Sequence, residues 1–145
     1  MVKAAFFLFS FIFVFANATH AQGKIVANIY GLKNNEGICL ACLFNNNTAF
    51  KGEGGQPMKC VAGNIQNYSS QIIFSNIPQG EYAIKFFHDE NNNRQIDKNF
   101  LGIPKEGYGA SMNKLRFAAA PTHEDNRFVL EDDSVITLSI KLRYL

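Results

Sequence analysis

A two-sheet β-sandwich of about seven antiparallel strands with one long functional loop is the fold class this sequence predicts. Two observations carry that reading. From Ile25 onward short apolar segments recur, separated by clusters of Gly, Asn and Pro, and no segment keeps a helical period. The final segment alternates cleanly, with Ile136, Leu138, Ile140, Leu142 and Tyr144 set against Thr137, Ser139, Lys141 and Arg143, as a strand with one buried and one wet face must.

Taken in order, strands are expected at about 24–32, 37–44, 58–63, 70–75, 81–88, 126–131 and 135–144. The second contains the unbroken apolar run Ile38–Phe44, which reads as a buried strand. In the fifth, Tyr82, Ile84 and Phe86 alternate with Ala83, Lys85 and Phe87, and Phe87 suggests cover on both faces. Asn76-Ile77-Pro78-Gln79-Gly80 is a tight turn that joins 70–75 to 81–88 as a hairpin, because Pro78 presets φ and Gly80 is free to take a positive one. The 37 residues from 89 to 125 show little strand signal, and an internal loop of that length in a compact domain is usually functional. Within it, Thr122 followed three residues later by Asp125 resembles a capping box and predicts at most a turn of helix.

The first 21 residues have the form of a secretory signal peptide: a basic n-region at Lys3, an apolar run over Ala4–Phe15 and small residues before a cleavage point after Ala18 or Ala21. That run is shorter than the roughly 20 residues a membrane-crossing helix needs. Cleavage after Ala21 leaves residues 22–145 as a single domain, large enough to bury a core. The leader carries one of the 14 basic residues and none of the 12 acidic ones, so the mature chain is close to neutral and nothing in it calls for nucleic acid. The expected location is the periplasm or the exterior, with no transmembrane segment after cleavage and an unknown ligand or cell-envelope protein as partner.

Three cysteines follow the leader: Cys39, Cys42 and Cys60. Cys39 and Cys42 have redox-motif spacing, but three positions apart on a strand they point to opposite faces. The expectation is buried, inert thiols, with a bridge from Cys60 to one of them as the alternative.

The densest polar stretch is His88-Asp89-Glu90-Asn91-Asn92-Asn93-Arg94-Gln95-Ile96-Asp97. Asp89, Asn91, Asn93 and Asp97 stand at positions 1, 3, 5 and 9 of a calcium-type loop, with the Gln95 carbonyl at position 7, so these five residues are the candidate calcium ligands. Arg94 replaces the usual glycine at position 6, and Phe100 replaces the bidentate acid at position 12. The competing reading is a metal-free series of Asx-turns. After it, Phe100-Leu101-Gly102-Ile103-Pro104-Lys105-Glu106-Gly107-Tyr108-Gly109-Ala110-Ser111 has a backbone path constrained by glycine and proline, with Phe100 and Tyr108 expected to pin it to the sandwich. Lys105, Glu106, Tyr108 and Ser111, together with His88, are the candidate ligand-binding residues. No catalytic residue is assigned, since Ser111, His88 and Asp89 lack a nucleophile-elbow or oxyanion-hole pattern.

The stretches Ile77–Ile84, His88–Asp97 and Asn99–Ser111 closely resemble the bacterial family catalogued as domain of unknown function 2141. The resemblance implies an exported bacterial protein with a sandwich akin to immunoglobulin-like and prealbumin-like domains, and no established activity. The Pro-x-Gly-x-Tyr turn at Pro78–Tyr82 also resembles that of carboxypeptidase regulatory-like modules. The expected function is therefore a non-catalytic binding or structural module, with calcium as a candidate cofactor. The alternatives are a secreted hydrolase using His88 and a nearby carboxylate, and an adhesion or assembly subunit that offers the strand at 135–143.

Overall fold

A computed structural model describes residues 22–116 and 119–145. The expected leader, residues 1–21, lies outside them. Two sheets pack face to face, with β1 (Gly23–Tyr30), β4 (Ser69–Ile77) and β8 (Val135–Lys141) forming the first in the order β4-β1-β8. The second runs β3 (Lys59–Gly63), β2 (Ile38–Phe44), β5 (Gly80–Asp89), β6 (Tyr108–Ala110), while β7 (Phe128–Leu130) pairs with the start of β5. Two short helices complete the chain: α1 (Asn47–Lys51) and α2 (His123–Asn126).

Alternation places the core. Ile25, Ala27 and Ile29 of β1, Ile72 and Phe74 of β4 and Ile140 of β8 point inward against Cys39, Ala41 and Leu43 of β2 and Tyr82, Ile84 and Phe86 of β5. Burying apolar side chains of this size is worth roughly 1.5–3 kcal/mol each. The two faces of β5 are both covered, as Phe87 suggested. On the outer face a second cluster of Phe44, Ala49, Phe50 and Ala83 forms beneath α1, with the Phe44 and Phe50 rings edge to face at 5.4 Å.

The expected hairpin of 70–75 with 81–88 does not form, since β4 pairs with β1 in one sheet and β5 with β2 in the other, so the turn at Pro78 crosses between sheets. The expectation of uniformly antiparallel strands also needs correction. β1 and β4 are antiparallel, but β1 and β8 run parallel from Lys24 opposite Val135 to Tyr30 opposite Lys141. Parallel neighbours need a long crossover, and here the rest of the domain supplies it, because β1 and β8 are the first and last strands. Beyond Lys141 the chain leaves β1, and Arg143 bridges to Tyr108 of β6, with reciprocal backbone hydrogen bonds of 2.9 Å. The last residues thereby join the two sheets.

The helical turn expected near Thr122 is α2: the Thr122 hydroxyl accepts the Asp125 N–H at 3.3 Å. The helix α1 was not foreseen. Its N-cap is Asn46, whose side chain accepts the Ala49 N–H at 2.8 Å, and five residues are too few to display a 3.6-residue period.

The cysteine expectation is also corrected. Cys42 and Cys60 lie directly opposite each other on β2 and β3 and are joined by a disulfide. Cys39 alone is a free, buried thiol, on the inward face, and burial pushes its pKa up to about 12. Cys39 and Cys42 do point to opposite faces, as their spacing required.

Candidate functional site

The site begins where β5 ends. Asp89 is fully buried, and its carboxylate accepts the N–H groups of Asn93 (3.0 Å) and Arg94 (2.8 Å). Asn91 Oδ1 accepts the Asn93 N–H at 3.0 Å and Asn93 Oδ1 accepts the Gln95 N–H at 2.7 Å, which are successive Asx-turns. Asp97 turns back over them and accepts the side-chain amides of Asn91 (2.7 Å) and Asn93 (3.1 Å). Arg94 is held at φ 61°, the left-handed conformation that a glycine at this position would adopt freely.

Glu106 closes the loop from the far side. Its buried carboxylate accepts the Glu90 N–H at 3.0 Å with one oxygen and the Asp97 N–H at 2.9 Å with the other. Lys105 N–H donates to the Asp97 carbonyl at 2.8 Å, so two consecutive residues grip the end of the loop. Charge-assisted bonds of this kind are about twice as strong as neutral ones. Next, Gly107 lies flat against Tyr144, and a Cβ there would overlap the ring.

His88 is fully buried inside this framework. Its Nε2 donates to the Glu36 carbonyl at 2.7 Å, and its Nδ1 shares a hydrogen bond with the Tyr144 hydroxyl at 2.8 Å. Tyr144 Oη in turn accepts the Lys33 N–H at 3.1 Å. Both ring nitrogens are therefore engaged in structure. Burial holds the Tyr144 hydroxyl above its usual pKa.

Ser111 sits elsewhere. Its hydroxyl donates to the Asn126 carbonyl and accepts the Ile84 N–H at 3.1 Å, fixing the chain after β6 against α2. Opposite Ile84 on the β5 ladder, with His88 opposite Gly107, Ser111 is four residues and roughly 13 Å of strand from the histidine. The structure thus brings Asp89, Asn91, Asn93, Gln95, Asp97 and Glu106 together, with Lys105 exposed beside them, and separates Ser111 from His88. Tyr108 is half-buried on β6. Phe100, expected to pin the loop, is instead 94% exposed.

Sequence reasoning passed over Tyr144 and Glu36, which hold His88, and Asn126, whose side chain accepts the N–H groups of Met112 (3.3 Å) and Lys114 (3.2 Å). No local pattern marks such residues, because their partners are distant in sequence. An open cleft of about 560 Å³ lies away from the loop, among β1, β3 and β4, where Asn28, Gln66, Ser69 and Gln71 line it.

A profile of a bacterial family described as "uncharacterized protein conserved in bacteria (DUF2141)" matches residues 27–137. The chain belongs to this family. The matched span runs from within β1 to the start of β8 and includes the whole loop. No curated protein matches the chain, and no solved structure does. Among the described residues no helix of this DUF2141 protein is long and apolar enough to cross a membrane.

Proposed function

We propose that this DUF2141 domain is an exported, non-catalytic binding or structural module, periplasmic or secreted, whose loop 89–106 forms a stiff rim that meets a ligand or a cell-envelope partner. The finer fold reading, an immunoglobulin-like or prealbumin-like sandwich, belongs to the same proposal. One observation carries it: two buried carboxylates, Asp89 and Glu106, are committed to the backbone of a loop that projects from a sheet end. The engagement of both His88 ring nitrogens supports this reading over a hydrolase.

Calcium is the candidate cofactor of the rim, through Asp89, Asn91, Asn93, the Gln95 carbonyl and Asp97. The donors are hard oxygens of the right chemistry, although no cluster of three or more His, Cys, Asp or Glu is present among the described residues. An ion would compete with the Asn91 and Asn93 amides for the Asp97 oxygens. Thermal unfolding in millimolar calcium against chelator tests it. A higher melting temperature in calcium, lost in D89A/D97A, is the expected result, and equal values with and without the ion remove calcium from the proposal. The module itself is tested by the same double variant without metal: retained stability and an unchanged loop in hydrogen exchange would contradict the stiff rim.

A further inference from the structure

We propose that the tip at Phe100, Leu101 and Ile103 is a membrane-docking element that enters the interface of an anionic phospholipid bilayer; this rests on the reading of residues 89–106 as a stiff rim. Phe100, Leu101 and Ile103 are 94%, 68% and 40% exposed, three large apolar side chains within four residues. Grouped apolar exposure of this kind marks an interaction site.

The backbone beneath them is fixed in place. Asn99 Oδ1 accepts the N–H groups of Leu101 (2.9 Å) and Ile103 (3.0 Å), the Asn99 N–H donates to the Ile103 carbonyl at 2.9 Å, and Lys98 bridges to Pro104. Gly102, at φ 77°, closes the turn with open space where a side chain would be. The tip is thus presented outward on its own hydrogen-bonded frame instead of folding onto the sandwich.

Charge selects the occupant. The four acids of the rim are turned to internal partners: Asp89 and Glu106 to backbone N–H groups, Asp97 to the Asn91 and Asn93 amides, and Glu90 to Lys33 at 2.8 Å. Arg94, Lys98 and Lys105 are exposed and make no ion pair among the described residues. An exposed apolar tip with Lys98 and Lys105 flanking it in sequence, and Arg94 in the same loop, fits acyl chains below and phosphates above.

Flotation of the purified protein with phosphatidylcholine vesicles, pure or with about 30% phosphatidylglycerol, tests the inference. Binding to the anionic vesicles is expected, at least tenfold weaker on pure phosphatidylcholine and in 0.5 M salt, and at least tenfold weaker for F100S/L101S with an unchanged melting temperature. The inference is overturned by wild-type protein that stays with neither vesicle, by equal binding of the double variant, or by a concentration-dependent dimer that the variant abolishes without any lipid binding. Hydrogen exchange at Asn93 to Gln95 separates the two readings. Slow exchange without lipid binding sinks the membrane inference alone, whereas fast exchange sinks the stiff rim.

Discussion

The Glu106 carboxylate accepts the backbone N–H of Asp97 at 2.9 Å, across nine residues of sequence, while its other oxygen holds the N–H of Glu90. One side chain therefore fixes both ends of the loop. Glu106→Ala leaves two N–H groups without their charged acceptor and should cost about 3 kcal/mol, measured by urea unfolding, with Glu106→Gln intermediate because one acceptor oxygen survives. Full stability in the alanine variant would show that the clamp contributes nothing.

Arg94 offers the opposite change. At φ 61° a residue with a Cβ is strained by about 1–2 kcal/mol, and glycine recovers more of that than it loses in unfolded-state entropy. Arg94→Gly is predicted to stabilise by about 0.5 kcal/mol, seen as a small rise in melting temperature. A fall would mean that the arginine side chain makes a compensating contact.

The disulfide between Cys42 and Cys60 closes a segment of 18 residues that contains α1. C42S/C60S, or reduction, should remove about 3 kcal/mol and loosen β3, the edge strand of its sheet. Calorimetry in the presence and absence of reductant reads this directly. Cys39 should resist alkylation in the folded protein, since burial keeps its thiol protonated.

Glu90 links stability to pH. Burial tends to raise its pKa, but hydrogen bonds from Lys33 and Asn34 and the Lys33 charge together hold it below the ordinary 4.5. A depressed carboxyl pKa stabilises above the unfolded value and loses that contribution as pH falls through the folded one. Melting temperature against pH should therefore drop more steeply below about pH 4.5 in wild type than in Glu90→Gln. Parallel curves would assign the acid sensitivity to other carboxylates.

Much of this architecture was legible in the chain because one-face burial writes a period of two into the residues. Ile136, Leu138 and Ile140 declared β8, whereas Pro78 and Gly80 marked a turn but misled on its product, because it carries the chain from one sheet to the other and does not close a hairpin. What escaped notice depends on partners far away. That Val135 lies beside Lys24 in parallel register has no local signature. The three residues of β6 were concealed in a glycine-rich stretch, where Gly109 is required because a Cβ would come within 2.6 Å of Phe86. At the candidate site, the spacing of Asp89, Asn91, Asn93 and Asp97 announced a curled oxygen-rich loop. The clamp by Glu106 did not show, since position 12 of the motif is empty of acid and the carboxylate arrives from six residues beyond it. Phe100 was misplaced because the expectation took apolar character to imply burial, whereas a single large apolar side chain can stand exposed.

The side-by-side, same-direction placement of the opening and closing strands has a kinetic corollary. A chain threaded out amino end first would carry β1 with one flank bare until residue 135 emerges, and the sheets would stay unstitched until Arg143 reaches Tyr108. Folding should wait for the whole polypeptide and proceed slowly, as contacts between distant segments demand. During that wait the exposed flank of β1 is a template for mispairing, so this protein would benefit from a holding chaperone far more than one built from neighbouring hairpins.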